Sequence, residues 1–250
     1  MRTPLVAGNW KMNGSQQSVE QLCEGILSGL SDVGQVDIAV CPPAILVSSA
    51  ANILSGSSVS IGGQDVDINA SGAYTGQTSA AMLKDAGCNC VIVGHSERRQ
   101  FYGDTDELVA EKTSVALAAG LLPLVCVGET LQEREADVTE TVIRRQLQTV
   151  IDKIGIAALA NCVVAYEPVW AIGTGVTASP EQAQEVHAFI RQLMASQDAN
   201  VAAQCRILYG GSMKPSNAAD LISRDDIDGG LIGGAALVAE DFLGICKAAV

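Results

Sequence analysis

Short apolar runs rich in β-branched residues recur along the chain, and longer segments with apolar residues at helical spacing separate them. Eight such runs predict strands that are buried on both faces. They cover residues 5–8, 36–41, 59–61, 90–93, 122–127, 162–166, 205–209 and 229–232. Because strands that alternate with helices pair in parallel through right-handed crossovers, the pattern predicts an α/β fold with a parallel sheet.

The segments between the strands predict outer helices. They cover residues 18–30, 106–119, 138–154, 180–194, 217–222 and 241–249. Eight strand–helix units in 250 residues match a closed (β/α)8 TIM barrel, whereas an open doubly wound sheet more often has fewer strands. No linker or change of composition divides the chain, so we expect residues 1–250 to form a single barrel domain.

Composition and charge limit the kinds of partner that we expect this protein to bind. Hydrophobic residues make up 48% of the chain, yet no apolar run is long enough to cross a bilayer. Residues 1–4 lead into a strand pattern without the features of a signal peptide, so we expect a cytoplasmic protein with no membrane partner. The net charge of −13 argues against a nucleic-acid partner, although a local group of backbone N–H donors could still bind an anionic small molecule.

The eight cysteines could suggest disulfides or a metal site. Five of them lie in or beside predicted strands, which favours free buried thiols. The Cys88 and Cys90 pair is too closely spaced for the usual zinc knuckle, and the chain has only two histidines. We therefore expect no structural metal.

In a (β/α)8 barrel the active site is built from residues that follow the carboxyl ends of the strands. Asn9 and Lys11 follow the first predicted strand, and His95 follows the fourth. The ammonium of Lys11 could reach an anionic substrate and the oxygen on which negative charge develops. His95 begins a predicted helical turn, whose positive end favours a neutral imidazole that donates a hydrogen bond.

Three carboxylates are candidates for the same site. Glu167 closes the sixth predicted strand, and the glycine-bounded loop after it has the pattern of a lid, so we rank it first as a base. Glu129 also follows a strand, but no imidazole or lid accompanies it. Glu97 has two interpretations, an ion pair with Arg98 or Arg99 at the surface or a place beside the lysine of the first strand. Spacing alone does not separate them.

Glycine-rich turns follow the seventh and eighth predicted strands. They contain Gly211-Ser212 and Gly233-Gly234. Glycine lets backbone N–H groups approach an anion closely, and a phosphate site in these two loops recurs in this barrel class. The two turns therefore indicate a phosphate site.

Together these segments resemble the triosephosphate isomerase family, from residue 6 to the last helix. The resemblance is carried by residues 9–11, 95–99, 166–175, 209–212 and 233–234. It implies interconversion of dihydroxyacetone phosphate and D-glyceraldehyde 3-phosphate through an enediolate, a step of glycolysis and gluconeogenesis that needs no cofactor. Two alternatives stay open: another phosphate-binding barrel isomerase with different acids and bases, and a non-catalytic barrel that only binds.

The resemblance also implies a role for each site residue. Glu167 would carry a proton between neighbouring carbons, His95 would move protons between the two oxygens, and Lys11 and Asn9 would stabilise negative charge. Glu97 would support them. The phosphate would be held by backbone N–H groups at Gly173, Ser212, Gly233 and Gly234, the first of them only after the lid closes and shields the enediolate from water.

Finally, the resemblance implies a homodimer in which the loop tip at residues 72–76 inserts Thr75 into the partner. Two positions depart from the family pattern. Asp104 stands where the family usually has glutamate, so a contact near the interface could be one methylene short. Val176 replaces the lysine common at the trailing end of the lid, which places the kinetics of lid movement in question.

Overall fold

A computed structural model describes residues 2–173 and 177–250 as a closed barrel of eight parallel strands. Each strand pairs with the next in chain order, and the eighth returns to the first. The strands are β1 (Leu5–Asn9), β2 (Asp37–Cys41), β3 (Val59–Gly63), β4 (Cys90–Val93), β5 (Leu122–Val127), β6 (Val163–Tyr166), β7 (Arg206–Tyr209) and β8 (Gly229–Ile232). The predicted (β/α)8 architecture is confirmed, and every predicted strand lies within two residues of an observed one.

Helices surround the barrel. They are α1 (Gln16–Gly29), α2 (Val47–Ile53), α3 (Ala80–Asp85), α4 (Ser96–Tyr102), α5 (Asp106–Ala118), α6 (Leu131–Glu135), α7 (Thr139–Ile154), α8 (Pro180–Ala195), α9 (Ala199–Gln204), α10 (Pro215–Ile222) and α11 (Ala239–Ala248). The six predicted outer helices are all present. In α8, Ser179 and Gln182 form a reciprocal capping box, and Pro180 occupies the first helical position.

Side chains pack in two layers because neighbouring residues of a strand point to opposite faces. Inside the barrel lie mostly small residues and leucines, among them Ala7, Cys41, Cys126 and Ala165. The alternate positions point outward into a larger core between strands and helices. The same alternation carries Asn9 and Glu167, two positions beyond Ala7 and Ala165, toward the barrel axis at the carboxyl end.

All eight cysteines are free and buried, as the sequence predicted. Burial raises the pKa of Cys23 to about 11 and that of Cys88 to about 12. Since the thiolate is the reactive form, these groups act as small apolar side chains. Among the described residues, no helix is long and apolar enough to cross a membrane.

Candidate active site

A cavity of about 680 Å³ opens at the carboxyl ends of the strands. It is lined by loops that follow β1, β4, β6, β7 and β8. Every residue expected to bind substrate contributes to its wall: Asn9, Lys11, Gly173, Ser212, Gly233 and Gly234. His95 lines it as well. The residues that were selected because they follow strand ends therefore lie together around one cavity.

Glu167 lies at this end of the barrel with only 2% of its side chain exposed. One carboxylate oxygen is 2.8 Å from Nε2 of His95, and the other accepts a hydrogen bond of 2.8 Å from the backbone N–H of Ser96. Burial acts to raise the pKa of Glu167, but these two contacts and the charge of Lys11 outweigh it and lower the pKa. The buried carboxylate is therefore ionised at neutral pH.

His95 is the N-cap of α4, and its Nδ1 accepts a hydrogen bond of 3.2 Å from the backbone N–H of Glu97. A ring nitrogen that accepts carries no proton, so this bond belongs to a neutral imidazole with its proton on Nε2, facing Glu167. Burial lowers the pKa of His95, yet the adjacent carboxylate of Glu167 reverses this and raises the pKa overall. We assign the neutral ring from the hydrogen bond, because the effect of Glu167 holds only while its carboxylate rests against Nε2.

Lys11 adopts a left-handed backbone conformation, with φ of 51°. For a residue with a side chain this conformation costs on the order of 1–3 kcal/mol unless its surroundings stabilise it. Its backbone N–H donates to Oδ1 of Asn9 at 3.0 Å, and its carbonyl accepts from the amide of Gln64 at 2.8 Å. Its ammonium lies 2.6 Å from Glu97. Lys11 is thus fixed at three points along its length.

Glu129, the competing carboxylate, is fully buried and, like Glu167, is not part of the cavity wall. Its Oε1 accepts from the hydroxyl of Tyr166 at 3.1 Å and from the indole N–H of Trp170 at 2.8 Å. Burial raises its pKa. Glu129 therefore connects the end of β5 to the 3-10 turn Val169–Ala171 at the start of the expected lid.

The glycine-rich turns leave open space beside Lys11. A methyl group built on Gly234 would meet no atom within 4 Å, and one on Gly233 would lie 3.5 Å from Cε of Lys11. Gly173 reaches the cavity with φ of 69°. The remaining lid positions, including Val176, lie outside the described residues.

Comparison with known proteins identifies the family of this chain. The sequence model of the triosephosphate isomerase family matches residues 4–249. The chain is 57% identical over 249 residues to the triosephosphate isomerase of Dechloromonas aromatica (strain RCB), with 100% of both chains covered. It is 54% identical to that of Psychromonas ingrahamii, again over 100% of both chains. The chain belongs to the triosephosphate isomerase family. The resemblance drawn from the motifs is thereby confirmed.

Two contacts in this family member were missed by the sequence analysis. Ser96 holds Glu167 mainly through its backbone N–H, which every residue except proline possesses, so no side-chain signal could indicate it. Gln64 follows β3 directly, and the rule used for the other strands would have selected it. It was passed over because an uncharged amide suggests no chemistry by itself and because, unlike Asn9, it is not accompanied by a lysine.

The structure also separates the two interpretations of Glu97. Arg98 pairs with Asp65 at 2.8 Å and with Asp104 at 3.2 Å, while Arg99 pairs with Asp106 at 2.6 Å. Glu97 instead contacts Lys11. It therefore lies at the candidate site rather than in a surface pair with a neighbouring arginine.

Asp104 makes its observed contacts within the chain: its Oδ2 lies 2.8 Å from the ammonium of Lys112 and 3.2 Å from Nε of Arg98. The expected effect of its shorter side chain on a dimer interface stays a prediction. Asp65 pairs with the same two cations. Two carboxylates and two cations form one largely buried cluster, so within the chain the shorter side chain reaches both of its partners.

Proposed function

We propose that this member of the family is a triose-phosphate isomerase that interconverts dihydroxyacetone phosphate and D-glyceraldehyde 3-phosphate through an enediolate, without a cofactor. Family membership supports the reaction. The observation that carries the proposal is the contact between Glu167 and a neutral His95, beside a cavity also lined by Lys11 and by two glycine-rich turns. A carboxylate base, a neutral hydrogen-bond donor and a cation are the groups that proton transfer next to a carbonyl requires.

In the proposed reaction, Glu167 removes a proton from one carbon of the substrate and returns it to the neighbouring carbon. Its lowered pKa supports this role, because the base must start ionised. The carboxylate rests against Ser96 and His95 with 2% exposure, so it has to leave Ser96 before it can reach a substrate in the cavity. Binding of substrate would supply the free energy for this movement.

His95 would act on the substrate oxygens. Its Nε2 gives its proton to one oxygen as negative charge develops there, and the Nε2 left without a proton then takes the proton from the other oxygen, which restores the neutral ring. The backbone N–H of Glu97 keeps Nδ1 unprotonated and so supports this tautomer. Lys11 and Asn9 would stabilise the developing charge, and Glu97 would hold the ammonium of Lys11 in place.

The phosphate would bind at the glycine-rich turns, through backbone N–H groups of Ser212, Gly233 and Gly234, with Gly173 added when the lid closes. Space beside Gly234 and the nearness of Gly233 to Lys11 support this location. A closed lid would exclude water and prevent elimination of phosphate from the enediolate.

The test is a cofactor-free assay. Protein treated with EDTA is mixed with dihydroxyacetone phosphate, and the formation of glyceraldehyde 3-phosphate is followed. We expect rapid turnover in the native protein, and in Glu167→Asp a large loss of kcat with little change in KM, because the carboxylate retreats by one methylene. Absence of turnover would favour the non-catalytic alternative, and near-normal turnover of Glu167→Asp would assign the base to another residue.

We further propose that the chain forms a single domain, works in the cytoplasm and assembles as a homodimer through the loop around Thr75. Exposed apolar side chains in the loops and short helices that follow the first four strands support the dimer: Met12, Ile45, Tyr74, Met82, Phe101 and Tyr102. Sedimentation should give the mass of a dimer. Thr75→Arg should shift it toward monomer, whereas Ser55→Arg, at an exposed position after α2, should not.

A further inference from the structure

The amide of Gln64 joins the ends of two strands. Its Nε2 donates to the carbonyl of Lys11 at 2.8 Å and to the carbonyl of Cys41 at 2.9 Å. Lys11 follows β1 and Cys41 ends β2, so both donor hydrogens of one side chain are used across neighbouring strands. An apolar side chain such as methionine could fill the same space but could make neither bond.

This contact falls on a residue whose backbone needs support. Lys11 has φ of 51°, in the left-handed region that residues with side chains rarely adopt. Asn9 holds its backbone N–H and Gln64 holds its carbonyl, so the peptide groups on both sides of the unusual dihedral are fixed by side chains. The direction in which the Lys11 side chain leaves the backbone depends on that dihedral.

We propose that Gln64 is a positioning residue for Lys11, which sets the place of the ammonium in the cavity although Gln64 itself does not line it. This inference rests on the proposed function, since it assigns Gln64 a part in the same reaction. It goes beyond that function because Gln64 contacts the backbone of Lys11 rather than its charged end.

The residues next to these contacts are themselves connected by ion pairs. Asp65, next to Gln64, pairs with Arg98 at 2.8 Å, and Glu97, next to Arg98, pairs with the ammonium of Lys11 at 2.6 Å. The segment that holds the backbone of Lys11 and the segment that holds its ammonium are therefore joined to each other. The buried cluster around Asp65 stabilises this arrangement.

A double-mutant cycle distinguishes positioning from a general structural role. Gln64→Met keeps the length of the side chain and removes the amide. We expect it to lower kcat/KM about tenfold or more when Lys11 is present, and less than about twofold in a Lys11→Ala background, where no ammonium remains to be placed. The same fold-loss in both backgrounds would overturn the inference.

Gln184→Met is the matched control. Gln184 is also half-buried, and its amide likewise makes two hydrogen bonds, both to Asp226, but neither residue lines the cavity. We expect the kcat/KM of this variant to stay within about twofold of the native value in either background. A tenfold loss would show that removal of any such amide disturbs the site, which contradicts a specific role for Gln64.

Gln64→Glu provides a second variant if Gln64→Met does not fold. An ionised carboxylate cannot donate to the carbonyl of Lys11, whereas a protonated one can donate a single hydrogen bond. The kcat/KM of Gln64→Glu, relative to the native protein, should therefore rise as the pH is lowered from about 8 toward 5, through the carboxyl range. A constant ratio over this range would overturn the inference.

A crystal structure of Gln64→Met tests the inference without any assay. We expect Lys11 to leave the left-handed region or its ammonium to lose the contact with Glu97. Retention of both would overturn the proposal for Gln64. Absence of turnover in the native protein would instead contradict the proposed function, and the structure would still decide the role of Gln64.

Discussion

At the scale of single residues, we expect the contact between Lys11 and Glu97 to affect activity more than stability. Their charged atoms lie 2.6 Å apart, but the side chains are 27% and 39% exposed, so water screens the pair. A pair of this kind contributes at most about 1 kcal/mol to the free energy of unfolding. Its larger effect should be on where the ammonium sits, because small displacements of a charged group at a reacting centre reduce the rate strongly.

We therefore predict that Glu97→Gln lowers kcat/KM about tenfold or more while changing the free energy of unfolding by less than about 1 kcal/mol. Steady-state kinetics and urea denaturation measure the two quantities. Glu111→Gln is the control, since it removes the charge from an exposed pair with Lys153 at 2.5 Å on the outer helices. An equal loss of kcat/KM in both variants would contradict the assignment of Glu97 to the site.

Residues with a reactive side chain after a strand could be found from the sequence, and those acting through the backbone could not. Glu167, His95 and Lys11 were selected because an ionisable group at a strand end has few structural reasons to be there. The N–H of Ser96 and the dihedral angle of Lys11 depend on the path of the main chain. No residue type encodes them, so they required the structure.

At the scale of secondary-structure elements, the exits of β5 and β6 are joined around Gly128. The N–H of Glu167 donates to the carbonyl of Val127 at 2.8 Å, and that of Val169 donates to the carbonyl of Glu129 at 3.1 Å. Between these bonds, a methyl group built on Gly128 would lie 1.8 Å from the carbonyl oxygen of Glu167. Glycine is required here for close approach of two backbones, and that approach fixes where Glu167 leaves its strand.

Gly128→Ala should consequently lower the free energy of unfolding by about 3 kcal/mol, the upper end for overpacking, because the obstacle is backbone rather than a movable side chain. Any folded fraction should lose activity as Glu167 shifts. Thermal denaturation and the assay above measure both effects. Gly34→Ala is the control, since the three atoms nearest to its methyl all belong to the side chain of Val250, which is 71% exposed. Equal stability of the two variants would contradict this account.

The strands and long helices could be predicted because their hydrophobic periodicity extends over enough residues. The helices α2, α3, α6 and α9 were not predicted. Each spans only five to seven residues, which is fewer than two helical turns and too few to show a 3.6-residue period. Their existence depends on caps and on packing against the barrel, as with Thr130 and Glu133, which form a capping box on α6.

At the scale of the whole molecule, the two histidines should affect stability with opposite sign. His187 is completely buried between Tyr166 and Tyr209, and burial lowers its pKa to about 4. His95 has a raised pKa in contact with Glu167. A lowered pKa means that the unfolded chain binds a proton which the folded chain does not, so His187 makes the protein less stable as the pH falls below about 6.5. His95 instead favours the folded state below the same pH.

We predict that His187 removes about 3 kcal/mol of the free energy of unfolding between pH 6.5 and pH 4, from a pKa difference of roughly 2.5 units. Over the experimentally easier interval from pH 7.5 to pH 5, the loss in free energy of unfolding due to His187 is about 2 kcal/mol. Urea denaturation at fixed protein concentration gives the free energy of unfolding of each protein at pH 7.5 and at pH 5. The decrease between the two pH values should be about 2 kcal/mol larger for the native protein than for His187→Asn. The comparison within each variant cancels the constant cost of the substitution and the carboxyl groups common to both. Equal losses would mean that His187 is not held neutral by the fold, and that acid sensitivity arises instead at carboxylates such as Glu167, whose lowered pKa acts in the same direction at lower pH.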